Sequence, residues 1–297
     1  MSAFGVDGSV SVSTEWLAAH LGERAVRVVD IRGKVLPPGH TPRYAPKRDD
    51  YDAGHVPGAV FVDWTRDIVD TDDPVPSQIA PPGAFGARMT ALGIGDGTSV
   101  VAYDDYNHIF AGRLAWALRY YGHDDVRVLD GGWSRWVAEG RPTTREVITP
   151  APAASPFTPR PRPSLRVSAD EVQAALGRSD VLLVDARAPD QYAGLVSAAG
   201  RGGHIPGARN VHYASLVDAS TGRFRSPDDV ARTFEQAGVD VAHLPPRVIV
   251  YCNGGISCTV PLHALQMLGR TDVAVYDGSW NEWGPDERRP IQKGREP

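Results

Sequence analysis

Four segments of this 297-residue chain occur twice, in the same order and about 150 residues apart. Val29-Asp30-Ile31-Arg32 returns as Val184-Asp185-Ala186-Arg187, and Gly54-His55-Val56-Pro57-Gly58-Ala59 returns as Gly203-His204-Ile205-Pro206-Gly207-Ala208. Val101-Ala102-Tyr103-Asp104 returns as Ile249-Val250-Tyr251-Cys252, and Asp130-Gly131-Gly132-Trp133 as Asp277-Gly278-Ser279-Trp280. Ordered recurrence marks a duplication, and a period of this length belongs to a whole domain, not to a solenoid unit of roughly 20–45 residues. Any fold must therefore be built twice.

Within each half, apolar runs alternate with segments of helical periodicity. The runs 26–31, 99–103 and 126–129, and 181–184, 247–251 and 273–276, are short and solidly apolar or β-branched. Segments 15–21, 109–121, 169–176, 226–237 and 259–268 carry apolar residues at three- and four-residue spacings. Ser168 and Ser226 read as helix N-caps, and Gly122, Gly177, Gly238 and Gly269 as helix stops. Such alternation predicts an α/β fold: two tandem domains, each a parallel sheet with helices on both faces. Between them, residues 149–164 hold six prolines and read as an extended, semi-rigid surface linker. The expected division is residues 1–148, the linker 149–164, and residues 165–297.

Composition removes several function classes. A net charge of −5 offers no electrostatic footprint for nucleic acid. No run approaches the roughly 18 apolar residues of a membrane span, and residues 1–12 lack the pattern of a signal peptide. Two cysteines, both in the second half, suit a reducing compartment, so a cytoplasmic protein is expected.

Cys252 ends an apolar run and opens Cys252-Asn253-Gly254-Gly255-Ile256-Ser257 ahead of a helical segment. A glycine-rich turn lets several backbone N–H groups converge on one atom, and the following helix adds its positive end. Together these lower a thiol's pKa and make a nucleophile. The competing reading is a small buried cysteine at a strand end. The repeat weighs against it, because Asp104 stands at the same place in the first half. His204 reads chiefly as a turn-pinning group, its copy His55 stays a candidate for the site, and the paired tryptophans Trp133, Trp136, Trp280 and Trp283 read as core.

The Asp-x-Arg strand end, the Gly-His-Ile-Pro-Gly-Ala turn, the strand-plus-cysteine loop and the Asp-Gly-Ser-Trp segment together resemble the rhodanese (sulfurtransferase) family in its tandem-domain form. The resemblance covers nearly the whole chain and implies a catalytic second domain and a first domain that keeps the fold without the cysteine. It implies that the Cys252 thiolate takes sulfane sulfur from a donor as a persulfide held by residues 253–257, then passes it to cyanide, a thiol or a protein acceptor. No metal or cofactor is called for. The related phosphatase loop needs an arginine six residues after its cysteine, where this chain has Cys258.

The donor is less clearly written. Thiosulfate enzymes of the family often carry basic residues in the second and third loop positions, and mercaptopyruvate enzymes Cys-Gly-Ser/Ala-Gly-Val-Thr. Asn253 and Gly254 match neither. Ala193 stands where the mercaptopyruvate branch has a second arginine. Of the serine–histidine–aspartate relay proposed for that branch only His55 remains, with Gly254 and Arg32 at the other two places. Thiosulfate is the expected donor, with 3-mercaptopyruvate and a relay from a partner protein as alternatives. Arg187 is the expected anion anchor, with Arg32 and His55 as further substrate-binding residues. The basic insertion 33–50 (Lys34, His40, Arg43, Lys47, Arg48) reads as a solvated loop ahead of a lip beside the donor. The glycine-rich 198–203 with Arg201 reads the same way. Ser257 is placed to hydrogen-bond the sulfur, and Cys258 reads as a small helix-start residue.

Overall fold

The computed structural model describes residues 9–36, 40, 43–150, 152–153 and 155–297. Residues 1–8 and parts of the 33–50 insertion (37–39, 41–42) lie outside the described residues. Two compact units result. The first is drawn from Met1–Thr71, Ile79–Arg162 and Ser220–Arg223, the second from Asp72–Gln78, Pro163–Ala219 and Phe224–Pro297.

The first unit contains strands β1 (Ser11–Val12), β2 (Val26–Asp30), β3 (Gly33–Val35), β4 (Tyr44–Pro46), β5 (Val60–Phe61), β6 (Ser99–Tyr103) and β7 (Val126–Leu129). Its helices are α1 (Thr14–Ala19), α2 (Arg48–Ala53), α3 (Pro82–Ala91), α4 (Ile109–Tyr120) and α5 (Gly132–Ala138). Five strands form one parallel sheet in the order β1-β7-β6-β2-β5. The second unit repeats this with β8 (Arg166–Val167), β9 (Val181–Asp185), β10 (Arg209–Asn210), β11 (Arg247–Tyr251) and β12 (Ala274–Tyr276), ordered β10-β9-β11-β12-β8 and again parallel. Its α-helices are α6 (Ala169–Ala175), α7 (Pro189–Tyr192), α8 (Pro227–Gln236), α9 (Thr259–Met267) and α10 (Ser279–Trp283). Every residue of β6 is buried. Successive strand side chains face opposite ways, so both faces of that sheet are covered, as its unbroken apolar run requires.

Local signals act where the sequence places them. Ser168 caps α6 with a reciprocal capping box through Glu171, and Ser226 Oγ accepts from Asp229 N at the start of α8. Gly122, Gly177, Gly238 and Gly269 all have φ between 73° and 89°. Each core gathers its copy of the repeated aromatics: Tyr103 and Trp136 in one unit, Tyr251, Trp280 and Trp283 in the other.

Three features differ from expectation. The short edge strands β1, β5, β8 and β10 span only two residues each, too few to leave a periodic signal. The described residues of the 33–50 insertion include a folded hairpin: β3 and β4 pair antiparallel, and Lys47 Nζ bonds Asp105 at 2.5 Å. The proline-rich segment does not simply run over the surface. Phe157 is 5 % exposed against Phe85, and the N–H groups of Arg160 and Arg162 donate to the carbonyls of Tyr121 and Tyr120. The one aromatic in that segment carries enough apolar area to dock it on the first unit. Among the described residues, no helix is long and apolar enough to cross a membrane.

Candidate active site

The repeated motifs do the same structural work in both units. Arg32 forks onto Asp30 (Nη2–Oδ2 2.8 Å) and Arg187 onto Asp185 (2.6 Å), each with its charge over a tryptophan, Trp133 at 4.4 Å and Trp280 at 4.2 Å. Arg187 Nη2 also donates to Gly203 O, and Arg32 Nη2 to Gly54 O, both at 2.7 Å. His55 stacks on Tyr51 and His204 on Tyr192, at 3.9 and 3.7 Å. Each histidine backbone exchanges two hydrogen bonds with a distant strand-like segment, His55 with Thr144 and His204 with Gln292. Tyr103 and Tyr251 reach across to accept from Val56 N and Ile205 N.

Those bonds bear on three expectations. Arg187, Arg32 and His55 are 2 %, 2 % and 0 % exposed and already bound to groups of their own unit. Both ring nitrogens of His55 face backbone carbonyls, those of Tyr51 and Glu146. A guanidinium that balances a buried carboxylate cannot leave it without stranding that charge, so Arg187 and Arg32 brace their strand ends. Arg187 still acts at a distance. Burial opposes its charge, but Asp185 and, more weakly, Tyr251 and Cys252 hold the guanidinium pKa above its ordinary value. By reciprocity its positive field favours a Cys252 thiolate.

The loop after β11 is where the two units part. In the first unit the Asp104 carboxylate fills it: Oδ1 accepts from the N–H groups of Tyr106 and His108, Oδ2 from those of Phe110 and Ala111, at 2.8–3.1 Å. That ring of amides is an anion nest closed by its own side chain. In the second unit the sulfur of Cys252 stands in the carboxylate's place. Burial pushes the thiol up, but hydrogen bonds from the Cys258 thiol, the Ser257 hydroxyl and the amides of Cys258 and Gly254 outweigh it and bring the pKa down to about 5. Gly254 and Cys258 lie two and six residues on, the same offsets as Tyr106 and Phe110 from Asp104. Cys252 is 2 % exposed, yet its surroundings are donors and not hydrocarbon alone.

The expected cradle, Asn253 to Ser257, is redistributed. Gly255, at φ 71°, turns its N–H to Ser279 Oγ at 3.1 Å. Asn253 gives its carbonyl to Asn281 N, and Ile256 gives its carbonyl to Thr259 N and Oγ1. Cys258, read as a mere helix-start residue, is a donor through both its thiol and its amide. Ser279, Cys258 and Asn281 are the residues sequence reasoning passed over. Ser279 carried one legible signal: its copy in the first half is Gly132. Gly254 is hemmed in, since a Cβ there would lie 2.9 Å from Asn281 Nδ2 and 3.5 Å from the Ser77 side chain.

Comparison with known proteins agrees with this geometry. A family model described as a rhodanese-like domain matches residues 13–139 and again 168–286. The chain is 35 % identical to the sulfur carrier protein TtuD of Thermus thermophilus, over 97 % of its own length and 98 % of that protein. It is 34 % identical to the thiosulfate sulfurtransferase of Corynebacterium glutamicum, over 95 % and 90 %. Among solved structures it superposes on SseA of Escherichia coli, described as a 3-mercaptopyruvate sulfotransferase, with a TM-score of 0.81 at 29 % identity, covering 92 % of this chain and 99 % of that one. A duplicated parallel α/β unit, a cysteine loop in the second copy only, and these matches together make the chain a member of the rhodanese-like domain family and a tandem-domain sulfurtransferase.

Proposed function

We propose that Cys252 is the sulfur-carrying nucleophile and that thiosulfate is its small-molecule donor. The observation that carries the reading is the thiol held down to about 5 by converging donors, at the loop position where the first unit has the Asp104 carboxylate. At neutral pH such a thiol is almost wholly thiolate. The thiolate sulfur attacks the outer sulfur of thiosulfate, the S–S bond breaks, and its electron pair leaves with sulfite. The persulfide on Cys252 keeps the nest's hydrogen bonds through its negative charge. An acceptor (cyanide, a thiol or a protein thiol) then attacks the outer sulfur, and the Cys252 thiolate is the leaving group, closing a double displacement.

With Arg187 and Arg32 engaged elsewhere, the amides and hydroxyl of the loop are the groups left to meet the donor's oxyanion, which favours a compact donor. Gly254 in place of the serine or alanine that the mercaptopyruvate branch of the family carries there speaks against 3-mercaptopyruvate. A second reading, sulfur relay from a partner protein, is favoured by the 35 % identity to a sulfur carrier protein. Both cysteines are free thiols, which suits a reducing compartment, so we place the protein in the cytoplasm.

Incubation with thiosulfate followed by intact-mass measurement is the test. One added sulfur, absent from Cys252→Ser, is expected; an adduct that survives that substitution refutes the assignment. Steady-state turnover with thiosulfate and with 3-mercaptopyruvate separates the donors, and slow turnover with both points to relay.

A further inference from the structure

Ser279 is fully buried and sits at φ 52°, in the left-handed region. Residues with a Cβ stay there only where their surroundings over-determine them. The first unit puts Gly132 at the same place with φ 55°, and a Cβ there would lie 2.2 Å from Asp104 O. The second unit thus keeps a strained side chain where its copy has none.

What that side chain does is visible in its three bonds. Ser279 Oγ donates to Tyr276 O at 2.7 Å and accepts from Cys252 N at 3.2 Å and from Gly255 N at 3.1 Å. Those two amides flank the turn that presents the sulfur. In the first unit no such hydroxyl is needed, because the two carboxylate oxygens of Asp104 accept four amides by themselves. A single sulfur that must remain free to bond a second sulfur cannot serve as the acceptor for the whole loop.

We propose that Ser279 is a positioning residue for sulfur transfer: by gripping the amides of Cys252 and Gly255 it fixes the turn so that the amides of Gly254 and Cys258 face the sulfur. The proposal rests on Cys252 being the sulfur carrier. Hydroxyl and backbone strain can be separated, because Ser279→Gly removes both whereas Ser279→Ala removes only the hydroxyl. The other groups acting on Cys252, the Cys258 and Ser257 side chains and Arg187 with its Asp185 partner, are left in place by either change.

The experiment follows alkylation of Cys252 by iodoacetamide from pH 4 to 10, read by peptide mass spectrometry, alongside single-turnover sulfur loading from thiosulfate and thermal unfolding. Both variants are expected to lose about tenfold in alkylation rate near pH 5, the effect of one loop amide turning away from the charged sulfur once Ser279 no longer holds the turn, and to match the parent above pH 9. Loading slows in parallel. Ser279→Gly is expected to unfold below the parent's temperature but above that of Ser279→Ala, since both leave the amides of Cys252 and Gly255 without their acceptor and only glycine relieves the backbone strain. Parental alkylation and loading in Ser279→Gly, with only Ser279→Ala impaired, would show a purely conformational residue and overturn the proposal. Should the parent itself load no sulfur on Cys252, the carrier assignment fails instead, and the two failures are told apart by that control.

Discussion

Cys258 offers the sharpest test of the electrostatics at the site. Its thiol and its amide both donate to the Cys252 sulfur, and the residue is 0 % exposed. Cys258→Ala deletes the side-chain donor and leaves the amide. A hydrogen bond to a charged acceptor contributes roughly 1.5–3 kcal/mol, and each 1.36 kcal/mol is a factor of ten in the acid constant. With the parent titrating at about 5, the thiolate fraction at pH 5 is expected to drop roughly seven- to eightyfold, and at pH 9 by much less. The assay is the rate of Cys252 alkylation against pH, with thiolate absorbance in the ultraviolet as an independent readout. Cys258→Ser restores a donor and should recover most of the loss. The sign is fixed by linkage: the folded pKa lies below the ordinary thiol value, so this group's stabilisation is complete above that ordinary value and is lost as pH falls through about 5. Cys258→Ala should therefore flatten the pH dependence of stability between those limits. An alkylation midpoint unchanged in Cys258→Ala would refute the account, because the amides alone would then be sufficient.

Two further substitutions probe the scaffold. Asp104→Ala removes the acceptor of four backbone amides from a buried loop, and at about 1–3 kcal/mol for each unsatisfied group it should destabilise the first unit by more than about 3 kcal/mol in denaturant unfolding. Stability within about 0.5 kcal/mol of the parent would mean the nest does not depend on its carboxylate. Arg187→Ala leaves Asp185 buried without its cation and should cost about 3–5 kcal/mol in the same assay. Parental stability with a raised KM for thiosulfate would instead restore Arg187 as a donor anchor.

Much of the fold was legible because the duplication let each half check the other. Strands β6, β7 and β11 were read to the residue, and α4, α8 and α9 to within a residue or two, since long apolar periodicity leaves little choice of element. The two-residue edge strands and the short helices α5 and α10 were not legible, being shorter than any period that could announce them. The surroundings of Arg187 were not legible for a related reason. Asp-x-Arg at a strand end is equally compatible with an arginine reaching out to a ligand and with one folded back onto the aspartate two residues before it, and only burial decides between them.

The sequence by itself determined that two like domains exist, that they are parallel α/β units, and that a cysteine stands in the second copy where the first has Asp104, because repetition and its breaches are properties of residue order. The tertiary structure alone decided which groups surround the sulfur. Ser279 and Asn281 reach Cys252 and its loop from helix α10, more than two dozen residues further on, and which amides face the thiolate depends on backbone angles such as the positive φ of Gly255 and Ser279. Convergence of distant atoms on one point is a property of folded geometry, and spacing along the chain carries no record of it.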